Sequence, residues 1–152
     1  MNKVKIEPFK VIGISVRTTN ENSQAANEIA DLWGKFMSQN ILEVIPNKID
    51  NTIYSIYTDY ESDHTKAYTA ILGCKVSSLN SIPGGMIGKS FNGGNYVKLS
   101  AKGDLMKGLI VNKWAEIWNM DLNRAFTADL EVFGEKAQNP NDAEIDFLIA
   151  TN

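Results

Sequence analysis

The apolar residues of the first third of the chain change from a strand-like to a helix-like pattern. Residues 4–16 are rich in Val, Ile and Phe, which favours a strand, and Pro8 within this run indicates an edge position or a bulge. From residue 26 to residue 37 the apolar side chains recur at three- and four-residue spacing. This spacing predicts an amphipathic helix that begins after Asn22 or Ser23 and ends near Asn40.

Three further strands are predicted in the middle of the chain. Residues 52–58 and 68–76 are rich in β-branched and aromatic residues, and the polar, acidic turn 59–66 separates them. This arrangement predicts an antiparallel pair. Residues 86–91 form another short strand candidate.

The last third repeats the order of the first. A strong turn signal at residues 92–95 precedes a predicted strand at 96–99, and Asp104 is a good N-cap for a helix whose apolar stripe runs from 106 to 118. Two predicted strands, 128–133 and 143–150, close the chain on either side of the polar loop 138–142.

This order indicates an internal duplication of a strand-helix-strand-strand unit, with halves of about 1–80 and 92–152. Weak local similarity supports the duplication, because Trp33 corresponds to Trp114 on the helices and Ser55 to Glu131 on the strands. We therefore predict a single α+β domain over residues 1–152. Its halves should share one antiparallel sheet, carry two main helices and leave a ligand cleft between them.

Glu131 is the residue that most needs an explanation. It lies within a mostly apolar, strand-like run, 128–133, and alternation places it on one face with Asp129 and Phe133. Taken alone, Glu131 fits a solvent-facing position on a half-exposed strand, because Glu is seldom buried without a partner. The duplication favours burial instead, since it places this strand beside the cleft.

The same correspondence predicts a set of cleft residues around Glu131. Tyr57 matches Phe133, so the two central strands should present a hydroxyl, a phenol, a carboxylate and a phenyl ring to the cleft. Helical tryptophans and one phenylalanine of the last strand supply further rings, although ordinary core packing is the better explanation for any single ring taken alone. The predicted ligand-binding residues are Glu131, Tyr57, Phe133, Trp118, Phe147, Ser55, Trp114 and Trp33.

Composition excludes several classes of protein. The net charge of -3, the pI of about 5.2 and the scattered Lys and Arg residues argue against direct nucleic-acid binding. The single histidine, His64, lies in a polar run typical of an exposed turn, and neither a zinc site nor a His-dependent catalytic centre is indicated. No motif indicates a cofactor. The lone Cys74 and the absence of a signal peptide or a long apolar run predict a cytoplasmic protein.

The order of several short motifs carries a family resemblance over essentially the whole chain. The sequence resembles the gyrase-inhibitor-like effector-binding domains, the ligand-sensing domains attached to some AraC-type and MerR-type multidrug regulators. Its central signature lies in residues 53–61, followed by 68–69 and 73–76. Further matches are residues 83–86 and 94–96, Gly103, Trp114 with Trp118, and residues 128–133.

The resemblance implies a duplicated domain with an aromatic cavity between its halves and an acid at the cavity floor, which Glu131 matches. Family members bind lipophilic, often cationic, small molecules. Regulators carry a separate DNA-binding domain, whereas this chain resembles the stand-alone form, including mobile-cassette (integron cassette) proteins. We therefore expect no sequence-specific DNA affinity. A separate regulator protein or a second copy of the chain stays open as a protein partner.

Two functions remain open from the sequence. A buried carboxylate is costly unless a cation or hydrogen bonds replace its water, and this favours a binding module for lipophilic cations. Some stand-alone relatives are hydrolases of strained electrophilic small molecules, and in that alternative Glu131 would act as general acid or base. One carboxylate without a second acid or a nucleophile favours binding.

Overall fold

The computed structural model describes residues 2–152 and shows eight strands and three α-helices. Met1, which opens the predicted first half, lies outside the described residues. The helices are α1 Gln24–Ser38, α2 Ile41–Val44 and α3 Leu109–Trp118, with short 3-10 turns at Glu21–Ser23, Leu105–Lys107 and Glu135–Ala137. The strands are β1 Asn2–Ile6, β2 Phe9–Thr19, β3 Ile53–Thr58, β4 Ala67–Val76, β5 Ile87–Phe91, β6 Gly94–Gly103, β7 Ala128–Phe133 and β8 Ala143–Ala150.

All eight strands form one antiparallel sheet whose order is symmetric about its centre. The order β1-β6-β8-β7-β3-β4-β2-β5 places β7 beside β3, and the matching pairs β8 and β4, then β6 and β2, follow outward, with β1 and β5 at the two edges. Ser55 pairs directly with Glu131 across the central two strands. This pairing is the register that a twofold relation between the halves, with Ser55 matched to Glu131, would require. The predicted α+β class with one antiparallel sheet is confirmed, and the repeat boundaries stay a prediction.

The predicted strand over residues 4–16 is wrong in one respect, because it is two strands that lie far apart in the sheet order. β1 and β2 are six strand positions apart, which is about 29 Å in a flat sheet. Only Glu7 and Pro8 connect them, and such a connection spans at most about 11 Å. The sheet must therefore curl. Pro8, without an N–H to donate to a neighbouring strand, marks the break between the strands.

The β5–β6 connection closes the curl at the same place. It also has two residues, Asn92 and Gly93, and joins strands six positions apart. Gly93 has φ +72°, and a Cβ atom there would lie 2.1 Å from the Ile6 carbonyl oxygen. The two connections are thus in contact, and only glycine fits this approach.

The curled sheet separates its two faces into different cores. Inside the curl, alternate residues such as Ile56 and Leu130 form a closed apolar cluster. On the other face, Phe36 of α1 packs on one half of the sheet and Ile117 of α3 on the other half. Between the two helices the central strands β3 and β7 remain uncovered by helix, and the candidate site lies there.

Several element ends differ from the sequence predictions. β6 is longer than the predicted 96–99, and the short helix α2 was not anticipated. The Asp104 carboxylate accepts from the Met106 backbone N–H at 2.9 Å, but it begins a 3-10 turn and not the α-helix. α3 starts later, after Gly108, whose φ of +75° interrupts the helical path. Ser23 precedes α1 without a side-chain cap.

Candidate ligand-binding site

A cavity of about 1860 Å³ lies between α1 and α3, with the central strands as its floor. Typical small-molecule pockets measure about 300–1,000 Å³, so this one has room for a ligand of several rings. Its residues come from both helices, the floor and the flanking loops. They include Ala26, Ile29, Ala30, Trp33, Met37, Tyr57, Tyr60, His64, Tyr68, Ile110, Val111, Trp114, Trp118, Arg124, Glu131 and Phe133.

Glu131 lies at the floor of the cavity and is only 1% exposed. Its Oε2 atom accepts hydrogen bonds from the Tyr57 hydroxyl at 2.7 Å and from the Trp114 Nε1–H at 2.6 Å. The Ser55 hydroxyl donates in turn to the Tyr57 oxygen at 3.1 Å. Burial raises the pKa of Glu131 to about 7, although the bonds from Trp114 and Tyr57 act in the opposite direction.

Asp129 lies two residues earlier on the same face of β7, and its surroundings differ from those of Glu131. It is fully buried and accepts from the Arg124 Nη2–H at 2.7 Å, the Tyr60 hydroxyl at 2.6 Å and the Ala150 backbone N–H at 2.9 Å. Among residues 2–152, no ion pair includes Glu131. One buried carboxylate therefore has a cation from the protein, and the other has only neutral donors.

All three tryptophans of the chain line the cavity. Trp114 meets Tyr57 edge to face, with ring centroids 5.5 Å apart, and Trp33 meets Phe133 in the same way at 4.9 Å. Trp118 is 40% exposed at the end of α3. Aromatic faces attract cations and bury apolar ligand surface, so the walls suit a ligand that is both lipophilic and positively charged.

Comparison with known proteins identifies the family. Residues 4–151 match the family model described as "Integron-associated effector binding protein". This chain belongs to that family. The match confirms the resemblance to gyrase-inhibitor-like effector-binding domains in their integron-cassette form.

Three relatives illustrate the family and its fold. An integron cassette protein from the mobile metagenome of Vibrio cholerae is 31% identical, with coverage of 99% of this chain and 95% of that one and a TM-score of 0.75. YobU of Bacillus subtilis, a protein named as a transcriptional regulator, is 24% identical over 91% of this chain and 89% of its own length. A solved protein bound to tetraphenylphosphonium shares the fold, with 11% identity, a TM-score of 0.82 and coverage of 99% and 93%.

The eight residues predicted from the sequence divide into two groups in this effector-binding domain. Ser55 and Phe147 do not line the cavity. Ser55 lies under Tyr57, and Phe147 is fully buried opposite Glu131, with its ring centroid 5.6 Å from that of Trp114. Both support lining side chains from behind. The six that line the cavity are Glu131, Tyr57, Phe133, Trp33, Trp114 and Trp118.

One end of the cavity is polar and was not predicted from the sequence; Tyr60, His64, Tyr68 and Arg124 contribute to it. His64 does lie in a turn, but it is not simply exposed, because its ring stacks on Trp118 at 5.0 Å. No local signal connects Arg124 with the cavity, since it precedes β7 in an irregular segment. The sequence feature that indicated this polar end was Asp129, which lies on the same face of β7 as Glu131.

None of the helices among residues 2–152 is long and apolar enough to cross a membrane. Within the same residues, no group of three or more His, Cys, Asp or Glu side chains is arranged to hold a metal ion.

Proposed function

We propose that this protein binds lipophilic cations in the cavity between its two halves, with the Glu131 carboxylate as the counter-charge. The observation that carries the proposal is the contrast between Glu131 and Asp129. Asp129 has Arg124 at 2.7 Å, whereas Glu131, 1% exposed, has only the neutral donors Tyr57 and Trp114. A cationic ligand would supply the charge that the protein leaves out.

The energetics favour a cation over a neutral ligand of the same shape. A buried carboxylate loses its hydration, and a ligand cation close to it recovers part of that cost through a partly desolvated charge pair. Each aromatic face in contact with the cation adds about 0.5 to 2 kcal/mol. Charge on the rest of the lining acts in the same direction, because Asp50 and Glu135 also border the cavity and Asp129 balances Arg124.

The comparisons support this proposal. The family is one of effector-binding proteins, and a protein with the same fold is known with bound tetraphenylphosphonium, a lipophilic cation. Aromatic walls and a buried acid are both features that suit the binding of a lipophilic cation. A cavity of this size with one carboxylate selects for charge more than for shape, so we expect several cations to bind.

The hydrolase alternative depends on the same Glu131. A pKa of about 7 suits a general acid or base near neutral pH. However, the nearest second carboxylate on that face, Asp129, already accepts three hydrogen bonds and pairs with Arg124. This arrangement favours binding, and hydrolysis of an electrophilic substrate by the wild-type protein would be the observation that favours catalysis.

The binding proposal predicts a specific pH dependence. Lowering the pH from about 8 to about 6 should weaken tetraphenylphosphonium binding by about three- to tenfold, because only about a tenth of Glu131 stays ionised one unit below a pKa of about 7 and the protonated form binds more weakly. The ionised form binds the cation, so affinity must rise with pH. Quenching of tryptophan fluorescence measures it directly, since Trp33, Trp114 and Trp118 all line the cavity.

Glu131→Gln is the control for this titration, because it removes the titrating group and should leave the affinity nearly constant over the same pH range. An affinity for tetraphenylphosphonium that does not change with pH in the wild-type protein would contradict the role of Glu131. No saturable quenching at any pH would contradict the proposed function itself.

A further inference from the structure

A cluster of buried polar atoms without partners lies at the polar end of the cavity. Among residues 2–152, the buried side-chain nitrogen and oxygen atoms that lack a hydrogen bond are Arg124 Nε, Arg124 Nη1 and His64 Nδ1. Both residues line the cavity, and both pack on Phe126, at 4.3 Å for the Arg124 guanidinium carbon and 6.5 Å for the His64 ring. The three atoms therefore lie in the same part of the cavity, next to Phe126.

Such atoms are unusual enough to need an explanation. The Arg124 side chain is 93% buried, since it is 7% exposed, and only its Nη2 group is bonded, to Asp129. A buried donor without an acceptor destabilises the folded protein, and most buried polar groups in proteins do have partners. The Arg124–Asp129 ion pair accounts for the charge of Arg124 but leaves two of its donor nitrogens without acceptors. A bound acceptor would use them.

Three packed aromatic side chains, those of His64, Trp118 and Phe126, lie beside these donors. His64 stacks on the exposed Trp118 with an interplanar angle of 8°, and Phe126 lies over the guanidinium. Phe126 has φ +56°, which is a left-handed backbone conformation that is costly for an aromatic residue. Two of the three rings lie on loops and the third at the end of α3, so a ligand could displace them and reach the donors from the cavity.

We propose that Arg124 and His64 form a covered second subsite for a neutral hydrogen-bond acceptor, such as an aryl carbonyl oxygen, on the same ligand whose cation lies at Glu131. This inference rests on the proposed function. Trp114 indicates the spacing, because its Nε1–H bonds Glu131 and its ring centroid lies 5.9 Å from the Arg124 guanidinium carbon. The two subsites are therefore about one aromatic ring apart.

A neutral acceptor fits this subsite better than an anion. Asp129 already neutralises Arg124, and Glu131 adds a further negative charge when it is ionised. A ligand carboxylate would gain the donors of Arg124 but would be repelled by both acids. The preferred ligand class is thus a lipophilic cation that carries a carbonyl or similar oxygen beyond one aryl ring.

The test compares three phosphonium probes that differ at one position of one ring. (4-Acetylphenyl)triphenylphosphonium carries the acceptor, (4-isopropenylphenyl)triphenylphosphonium replaces its oxygen by a CH₂ group, and the 4-carboxyphenyl analogue carries an anion. We expect the acetyl probe to bind about tenfold more tightly than the isopropenyl probe, as one satisfied buried hydrogen bond would give. The carboxyphenyl probe should bind more weakly than the acetyl probe.

Variants assign the effect to the proposed donors. Arg124→Lys keeps the charge opposite Asp129 but removes the guanidinium fork, so the preference for the acetyl probe should fall to less than about threefold. The chain contains only one other arginine, Arg17, which does not line the cavity, and Arg17→Lys is the matched control that should keep the full preference. His64→Phe keeps a ring against Trp118, loses Nδ1 and should reduce the preference by about threefold.

A structural readout tests whether these aromatic side chains move. His64 is the only histidine, so its ring signals in an NMR spectrum are identified without ambiguity. The acetyl probe should move them as the ring leaves the face of Trp118, and the isopropenyl probe should move them much less.

Each of the following outcomes would overturn the second subsite. The first two are equal affinity of the acetyl and isopropenyl probes for the wild-type protein, and a preference for the acetyl probe that is undiminished in Arg124→Lys. The other two are His64 signals that do not shift when the acetyl probe binds, and tighter binding of the carboxyphenyl probe than of the acetyl probe. Equal affinity leaves cation binding at Glu131 intact. If none of the probes binds, the proposed function fails together with the subsite.

Discussion

Glu131→Gln should weaken the binding of methyltriphenylphosphonium by about 1 to 3 kcal/mol, which is roughly 5- to 150-fold in Kd. The physical reason is that Gln removes the negative charge from a side chain that is 1% exposed and has no cation from the protein. An exposed pair would contribute only about 0 to 1 kcal/mol. Isothermal titration or tryptophan quenching at about pH 8, where Glu131 is mostly ionised, gives the two dissociation constants.

A neutral analogue and a stability measurement complete this experiment. The carbon analogue 1,1,1-triphenylethane has nearly the same shape without the charge, and its affinity should be almost equal in both proteins. The Gln amide oxygen can still accept from Tyr57 and Trp114, so the pocket should keep its form. If cation and neutral analogue lose the same affinity, the carboxylate is structural and the assignment of the site is wrong.

The stability of the same variant has a predictable sign. Burial raises the folded-state pKa of Glu131 from 4.5 to about 7, so ionisation of this group lowers the free energy of unfolding as the pH rises through that interval. Gln does not ionise. Without ligand at about pH 8, Glu131→Gln should therefore be at least as stable as the wild-type protein.

Asp129→Ala should reduce the free energy of unfolding by about 3 to 5 kcal/mol, the usual cost of breaking a buried ion pair by removing one partner. The variant leaves the Arg124 guanidinium, 7% exposed, without its counter-charge. It also leaves the Tyr60 hydroxyl and the Ala150 backbone N–H without their acceptor. Urea denaturation followed by circular dichroism measures the difference.

Asp146→Ala provides the matched control for this second experiment. Asp146 also lies on a strand of the sheet, in β8, but its partner Lys98 is at 3.6 Å and its side chain is partly exposed. Loss of such a surface pair should cost about 0 to 1 kcal/mol. A cost for Asp129→Ala no larger than that of the control would show that the Arg124–Asp129 pair does not hold the site together.

The two buried carboxylates show how far the sequence could predict the site. Glu131 was recognisable because it lies on a mostly apolar strand, and the internal duplication placed that strand beside a cleft. The same evidence could not say which acid would be neutralised. Asp129 and Glu131 share a strand and a face, and only the position of Arg124 in space makes them different.

The aromatic residues give a similar result. Helical periodicity predicted that Trp33, Trp114 and Trp118 would face inward, but it could not distinguish a cavity wall from a packed core. The structure places all three on the cavity, whereas Phe147, equally apolar, packs behind Trp114. That difference depends on how far the two helices are separated above the central strands.

By itself, the sequence determined the two main helices, most of the strands, the α+β class and the acid of the candidate site, because these follow from local periodicity and from acidic residues in a mostly apolar run. Only the tertiary structure decided the strand order, the curl that the connection at Glu7 and Pro8 imposes, the pairing of Arg124 with Asp129 and the stacking of His64 on Trp118. These features join residues that are distant in sequence. Their energies depend on distances and burial in space, which no local pattern records.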